Sequence, residues 1–166
     1  FTIHKKRVYE LCDGIIKNGL NTRTEFTMVT RGDCVDDDLL KRLKEANFTG
    51  LAFGVETASE ELMKMIDKKE TVQDIVNGIR LAKKYDFVVD TVFIYGLPGE
   101  TRADRVDAFN LARSLEVAKA RFNCATPYPG TRLYEIAKKE NNLTKVGDWE
   151  NFHPTGVLTA AKVFGF

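Results

Sequence analysis

Apolar residues recur along this chain with two alternating periods. At 4–18, Val8, Leu11, Cys12, Ile15 and Ile16 fall at helical spacing, and Asn18-Gly19 closes the pattern. Residues 24–29 (T-E-F-T-M-V) read as a strand. Asp36 then stands as the cap of a helix with Leu39, Leu40 and Leu43 inward, and Asp37 and Asp38 lie in its first turn, where carboxylates favour the dipole. Residues 50–56 (G-L-A-F-G-V-E) form a second strand, and Ser59 caps a short helix over 60–66. Thr71 and Asp74 make a capping-box start for a helix with Val72, Ile75, Val76 and Ile79 on one side. The most apolar run, 88–97, is a strand buried on both faces that stops at Gly96-Leu97-Pro98-Gly99. Thr101 with Asp104 caps a helix to about Leu115. A fourth strand, 119–126, leads through Pro127-Tyr128-Pro129-Gly130 to a last helix capped by Thr131, with Leu133, Ile136 and Ala137 inward. After Asn141 the periodicity fades, so 1–142 reads as the domain and 143–166 as an irregular tail.

Each strand hands over to a capped helix. That rhythm is a run of βα units, hence parallel strands joined by right-handed crossovers. About four strands are readable, whereas a closed eight-stranded barrel takes roughly 200 residues or more. The fold class is α/β: an open arc of a barrel or a small doubly wound sheet. In both, ligands bind at the carboxyl ends of the strands.

Composition narrows the partners. The chain has 166 residues, 43% hydrophobic and 30% charged, enough for one domain with a core. A net charge of +1 gives no sign of nucleic acid as a partner. No apolar run approaches the roughly 18 residues that span a bilayer, so no membrane is expected. Cys12, Cys34 and Cys124 are scattered and odd in number, which fits a reducing cytoplasm and no zinc or iron–sulfur spacing. His4 and His153 are isolated and read as structural or surface residues. The opening on Phe1, with helical pattern almost at once, reads as a piece of a larger protein.

The strand ends hold the candidate chemistry. Glu56 ends a mostly apolar strand, where burial needs a partner for its charge. It either accepts hydrogen bonds from ligand hydroxyls, as carboxylates do on ribose in dinucleotide folds, or pairs with a nearby Lys or Arg. Arg31 either grips a ligand carboxylate with its fork or pairs with Asp33 or Asp36 in a solvated loop. Gly96 and Gly99 either admit a ligand to the backbone or make a Pro98-Gly99 type II turn, and the local sequence favours the turn. Glu100 reads as a residue sitting ahead of the Thr101 cap. Tyr128, between two prolines, either stacks on a flat ring or is an exposed loop aromatic.

Taken together, four motifs resemble the radical S-adenosylmethionine (SAM) superfamily, in the branch that often carries an N-terminal cobalamin-binding domain. They are R-G-D-C-V-D-D-D-L-L-K-R-L-K-E-A (31–46), F-G-V-E-T-A-S-E-E-L-M-K-M-I (53–66), F-I-Y-G-L-P-G-E-T (93–101) and T-P-Y-P-G-T-R-L-Y (126–134). The resemblance runs from Phe1 to about Trp149, and within the branch it is closest to the anaerobic magnesium-protoporphyrin monomethyl ester cyclases. It implies part of a TIM-like (β/α) barrel in which a [4Fe–4S] cluster on a C-x-x-x-C-x-x-C loop binds SAM. Reductive cleavage of SAM then gives a 5′-deoxyadenosyl radical that abstracts hydrogen from an organic substrate, a tetrapyrrole being one candidate. It places Glu56 on the ribose hydroxyls, Ile94 with its strand neighbours and Gly96 beside the adenine, Pro127 and Tyr128 on the adenine side, and Arg31 toward the SAM carboxylate. Cobalamin is the further cofactor it brings in.

This sequence departs from the pattern at two points. Val92 stands where the adenine strand's motif often begins with glycine, and no C-x-x-x-C-x-x-C occurs. The expectation is therefore a catalytic-domain piece without cluster ligands, inactive alone, from an enzyme acting on a small molecule. A phosphate-binding barrel enzyme using 96–99 and a non-catalytic α/β module are the alternatives. The strand at 24–29 would have an unpaired edge through which the chain self-associates or is otherwise covered; a monomer with that edge bare would contradict this.

Overall fold

The helix starts are set by side-chain caps. The computed structural model describes residues 1–143. Asp36 lies extended ahead of α2 (Asp37–Glu45) and accepts the Leu39 N–H. Thr71 and Thr101 open α4 (Val72–Lys84) and α5 (Arg102–Ser114) with complete capping boxes, Asp74 and Asp104 taking the threonine N–H groups. Ser59 and Thr131 cap α3 (Glu60–Met65) and α6 (Arg132–Lys139). Only α1 (Lys5–Lys17), preceded by exposed His4, has no side-chain cap. It is tied instead through Lys5, whose ammonium pairs with Asp36 and holds that carboxyl below its ordinary range.

Between the helices run β1 (Phe26–Thr30), β2 (Phe48–Glu56), β3 (Val88–Tyr95) and β4 (Lys119–Cys124). All are parallel, in the order β1-β2-β3-β4. The strand bounds differ from the sequence reading for local reasons. A 3-10 turn at Leu20–Thr22 takes the Arg23 and Thr24 N–H groups onto the Leu20 carbonyl, so β1 starts at Phe26. Gly96 turns left-handed (φ 79°) and ends β3 at Tyr95. The tail expected over 143–166 lies, apart from Leu143, outside the described residues.

The helices cover one face of the sheet. Phe53, Val89 and Phe93 from the strands pack with Leu39, Leu40, Leu43, Ile75 and Ile79 in a single buried cluster. In α1, Val8, Cys12 and Ile15 join it, but Leu11 is 43% exposed: the buried stripe is narrower than its apolar pattern. The opposite face carries Val29, Ala52, Val88, Asp90 and Arg121, with Arg121 Nη2 bonded to Asp90 Oδ2 at 2.8 Å. Val29 is 65% exposed there, and β1 is an edge strand with β2 its partner among the described strands.

One backbone contact fixes the turn after β1 against α4. A 3-10 turn (Gly32–Cys34) follows the strand and is pressed onto α4. A Cβ on Gly32 would lie 2.3 Å from the Ile75 Cα, and one on Gly78 would lie 2.6 Å from the Gly32 oxygen.

Candidate functional site

The carboxyl edge of the sheet gathers the candidate residues. In β2, Gly54 pairs with Val92 and Glu56 with Phe93, so Val55 is bulged out and Glu56 takes a left-handed backbone (φ 65°). For a residue with a Cβ this conformation costs about 1–2 kcal/mol. It swings the carboxylate back over Gly54, where a Cβ would lie 2.6 Å from Glu56 Oε1 and 3.0 Å from Lys68 Nζ. A side chain at Gly54 would have to displace the ends of these two flexible side chains.

Lys68 Nζ donates to Glu56 Oε1 at 2.9 Å, so the ion-pair reading of Glu56 is realised. The same ammonium is 3.4 Å from Glu70 Oε1, an ion pair without hydrogen-bond geometry. Glu70 has a fully buried side chain, and its Oε2 accepts the Gly32 N–H at 2.9 Å. No described residue donates to Glu56 Oε2.

The loop carrying Lys68 is built by α3's termination. Asp67 is left-handed (φ 58°), its N–H bonding the Lys64 carbonyl and the Lys68 N–H the Met63 carbonyl, which is a Schellman ending on a non-glycine. Lys69 is left-handed as well (φ 58°). Arg31 holds this strained loop: Nη1 bonds the Lys68 carbonyl at 3.1 Å and Nη2 the Lys69 carbonyl at 2.9 Å. Its Nε and Nη2 also bond Asp33 at 2.9 and 2.7 Å. Asp33 pushes the guanidinium above its ordinary range and is itself lowered by it. Arg31 thus pairs with Asp33, and the remaining bonds make it the clamp of the Lys68 loop; the resemblance had put it toward the SAM carboxylate.

At the end of β3 the Glu100 N–H bonds the Leu97 carbonyl at 3.0 Å with Gly99 left-handed (φ 78°), the type II turn read from Pro98-Gly99. Tyr128-Pro129-Gly130-Thr131 repeats it, with a 3.1 Å bond and Gly130 at φ 85°. Each turn leads to a threonine cap. Pro127 is buried and Tyr128 is 41% exposed. Ile94 alternates with buried Phe93, so it lies on the face opposite the helices, paired in register with Asn123.

Glu100 sits ahead of the Thr101 cap, as read, and the fold adds a buried role. Its side chain folds inward, 2% exposed, with Oε2 accepting the Gly96 N–H at 2.6 Å and lying 3.4 Å from Arg105. Burial pushes its carboxyl up from 4.5, against the opposing pull of Gly96 and Arg105. The folded chain therefore holds a proton that the unfolded chain releases, and stability falls as pH rises through the window above about 4.5. In thermal melts across that window, Glu100→Gln should gain stability relative to the native chain as pH rises. A pH-independent difference would refute it.

The roles of Lys68 and Glu70 and the inward turn of Glu100 escaped the sequence reading. Gly54 left a trace, as the glycine two places before an acidic strand end. Among the described residues no group of three or more His, Cys, Asp or Glu is placed to hold a metal. Cys12 and Cys124 are buried and Cys34 half-buried, all free.

Comparison with known proteins identifies the family. The model of the radical SAM superfamily matches residues 2–112. An uncharacterized methyltransferase of Pyrococcus horikoshii is 34% identical over 152 residues, covering 92% of this chain and 32% of that protein. The anaerobic magnesium-protoporphyrin IX monomethyl ester cyclase of Cereibacter sphaeroides is 29% identical over 136 residues, 81% of this chain and 22% of that protein. The chain thus spans about a third or less of these curated relatives. TsrM, a radical SAM methyltransferase from Kitasatospora setae with cobalamin and a [4Fe–4S] cluster bound, shares the fold at a TM-score of 0.68 and 17% identity, covering 84% of this chain and 29% of that one. Methylornithine synthase does so at 0.65 and 20% identity, covering 95% of this chain and 40% of that one. The four parallel strands and their outer helices are accordingly part of a TIM-like barrel, and the chain belongs to the radical SAM superfamily.

Proposed function

We propose that this chain is the nucleoside-holding part of a radical SAM catalytic domain, with Glu56 as the acceptor for the ribose hydroxyls of SAM. The observation that carries this is Glu56 itself: a carboxylate kept in a costly left-handed backbone, fixed through Oε1, with Oε2 unclaimed by any described residue at the carboxyl edge of the sheet. Strain of this kind persists only where the surroundings enforce it, and it clusters at binding sites. Ile94 and Gly96 on β3, and Pro127 with Tyr128 beyond β4, are assigned to the adenine side.

SAM, when bound, supplies the family's source of a 5′-deoxyadenosyl radical. The residues of this chain do not fit a [4Fe–4S] cluster, for no C-x-x-x-C-x-x-C occurs in the 166 residues. The cluster belongs, on this proposal, to the remainder of a longer enzyme. The cyclase and TsrM relatives make an organic substrate such as a tetrapyrrole, and cobalamin as second cofactor, part of the proposal. No helix among the described residues is long and apolar enough to cross a membrane, and the three free cysteines suit a cytoplasmic setting. A phosphate site at 96–99 is disfavoured by Glu100, whose carboxylate already takes the Gly96 N–H that a phosphate would need.

Titration calorimetry with S-adenosylhomocysteine tests the reading. A hydrogen bond to a charged group is worth about 1.5–3 kcal/mol, so Glu56→Gln should weaken binding at least about tenfold. Equal affinity for the variant and the native chain would remove Glu56 from the site.

A further inference from the structure

The sheet face turned away from the helices carries opposite charges at its two ends. In its middle β2 presents only Gly50 and Ala52, and a groove of about 530 Å³ crosses the sheet there from β1 to β4. That volume is ordinary for a small-molecule site. Val29 and Val88 line it and are 65% and 58% exposed. At the β4 end stands Arg121, half-exposed, with Nη2 bonded to Asp90 Oδ2 at 2.8 Å. No described residue accepts from its Nε or Nη1. Lys119, two places earlier in β4 and in register with Asp90, lies on the same face, so two cations face one carboxylate. At the β1 end the charge is reversed: Glu25 Oε2 accepts the Thr49 hydroxyl at 3.3 Å. Arg121 is in register with Val92, two residues before Ile94, so it stands roughly 7 Å short of the strand level assigned to the adenine.

We propose that this groove seats an organic carboxylate, its apolar body against Gly50, Ala52, Val29 and Val88 and its carboxylate on the open donors of Arg121. Charge sets both the class of the ligand and its direction. Asp90 already holds the guanidinium from one side, so little ordering is left for a ligand to impose, and the remaining N–H groups offer charge-assisted bonds to an anion. Lys119 adds to the attraction at that end, while Glu25 repels a carboxylate from the other. The small residues of β2 matter for the body: a Cβ on Gly50 would already lie 3.0 Å from Thr27 Cγ2, so a larger side chain there would fill the groove. That the ligand is the substrate of the enzyme rests on the function proposed above; its seat in the groove does not.

The probes are 2-naphthoate and its neutral analogue 2-naphthamide, titrated by calorimetry against the full chain and its Arg121→Met, Arg121→Lys and Ala52→Leu variants. The native chain should bind the acid at least about tenfold better than the amide. Arg121→Met should bring that ratio close to one with the amide's affinity unchanged, and Arg121→Lys should restore only part of it, having the charge without the fork. Ala52→Leu fills the floor and should weaken both compounds. A native chain without preference for the acid, a ratio kept in Arg121→Met, or both affinities unmoved by Ala52→Leu would each overturn the proposal. Both affinities falling together in Arg121→Met would make Arg121 a structural residue and overturn it as well. A native chain that binds neither compound and sediments as a dimer gives the face to a second copy instead. S-adenosylhomocysteine, titrated into the same native chain, separates the two readings. Its failure to bind beside a retained preference for naphthoate refutes the nucleoside site and leaves the groove standing, and the reverse pattern refutes the groove alone.

Discussion

Gly32→Val should destabilise the chain by roughly 4 kcal/mol or more, the largest loss expected of any single substitution considered for this fold. The position tolerates no side chain. A Cβ there would lie 2.3 Å from the Ile75 Cα, 2.6 Å from the Asp74 oxygen and 2.7 Å from the Ile75 nitrogen, all of them backbone atoms of α4. No rotamer change relieves such a clash, so the Gly32–Cys34 turn and α4 must separate. Overpacking of flexible side chains costs about 1–3 kcal/mol, and a backbone collision belongs above that range. Separation also pulls the Gly32 N–H from Glu70, stranding a buried carboxylate. Together these reach roughly 4 kcal/mol or more, against a total stability of about 5–15 kcal/mol for a domain of this kind. Gly78→Ala attacks the contact from the helix side, its Cβ lying 2.6 Å from the Gly32 oxygen, 2.7 Å from the Gly32 Cα and 3.1 Å from its carbonyl carbon, and should lower the midpoint as well. Urea denaturation followed by circular dichroism reads both as a lowered midpoint with unchanged slope. A Gly32→Val midpoint within the scatter of the native chain would mean that α4 slides freely, and the close contact would lose its importance.

Arg31→Lys should be nearly as damaging, although the charge is kept. The guanidinium makes four bonds in three directions: two to Asp33 and one each to the Lys68 and Lys69 carbonyls. A lysine ammonium has three donors and no planar fork, so it cannot span the carboxylate and both carbonyls. The loop then loses the clamp that offsets two left-handed residues, each worth about 1–2 kcal/mol of strain. A stability loss of about 2–4 kcal/mol follows, and with it an S-adenosylhomocysteine affinity lowered about tenfold or more, because Lys68 no longer sits over Glu56. Native affinity together with native stability in Arg31→Lys would reduce Arg31 to an ordinary solvated ion pair with Asp33.

Both predictions concern residues whose importance was only partly legible. Arg31 was visible as a candidate because it follows a strand, and Asp33 was a visible partner two residues away. The Lys68 and Lys69 carbonyls lie 37 and 38 residues on, beyond the reach of local pattern. Gly32 gave no signal of crowding, since a glycine after a strand reads as a turn whether or not a helix presses on it. Glu100 does sit ahead of the Thr101 cap as its sequence suggests, but only the fold turns its side chain inward onto Gly96.

What the sequence determined by itself is the set of local choices. The caps at Asp36, Ser59, Thr71, Thr101 and Thr131, the two Pro-Gly turns and the alternation of strand and helix depend on groups three or four residues apart, and all are realised. The parallel arc follows from that alternation, because crossovers through helices leave little else. Tertiary structure decided the rest. It bulged Val55 and turned Glu56 over Gly54, brought Lys68 and Glu70 from the end of α3 to meet it, and wedged Gly32 against Gly78. The division has a physical cause. Capping and turn energies are local and nearly independent of what surrounds them, whereas a buried charge is stable only beside a partner that the chain brings across long separations, and which of many acids and bases meet is settled when the sheet and helices pack.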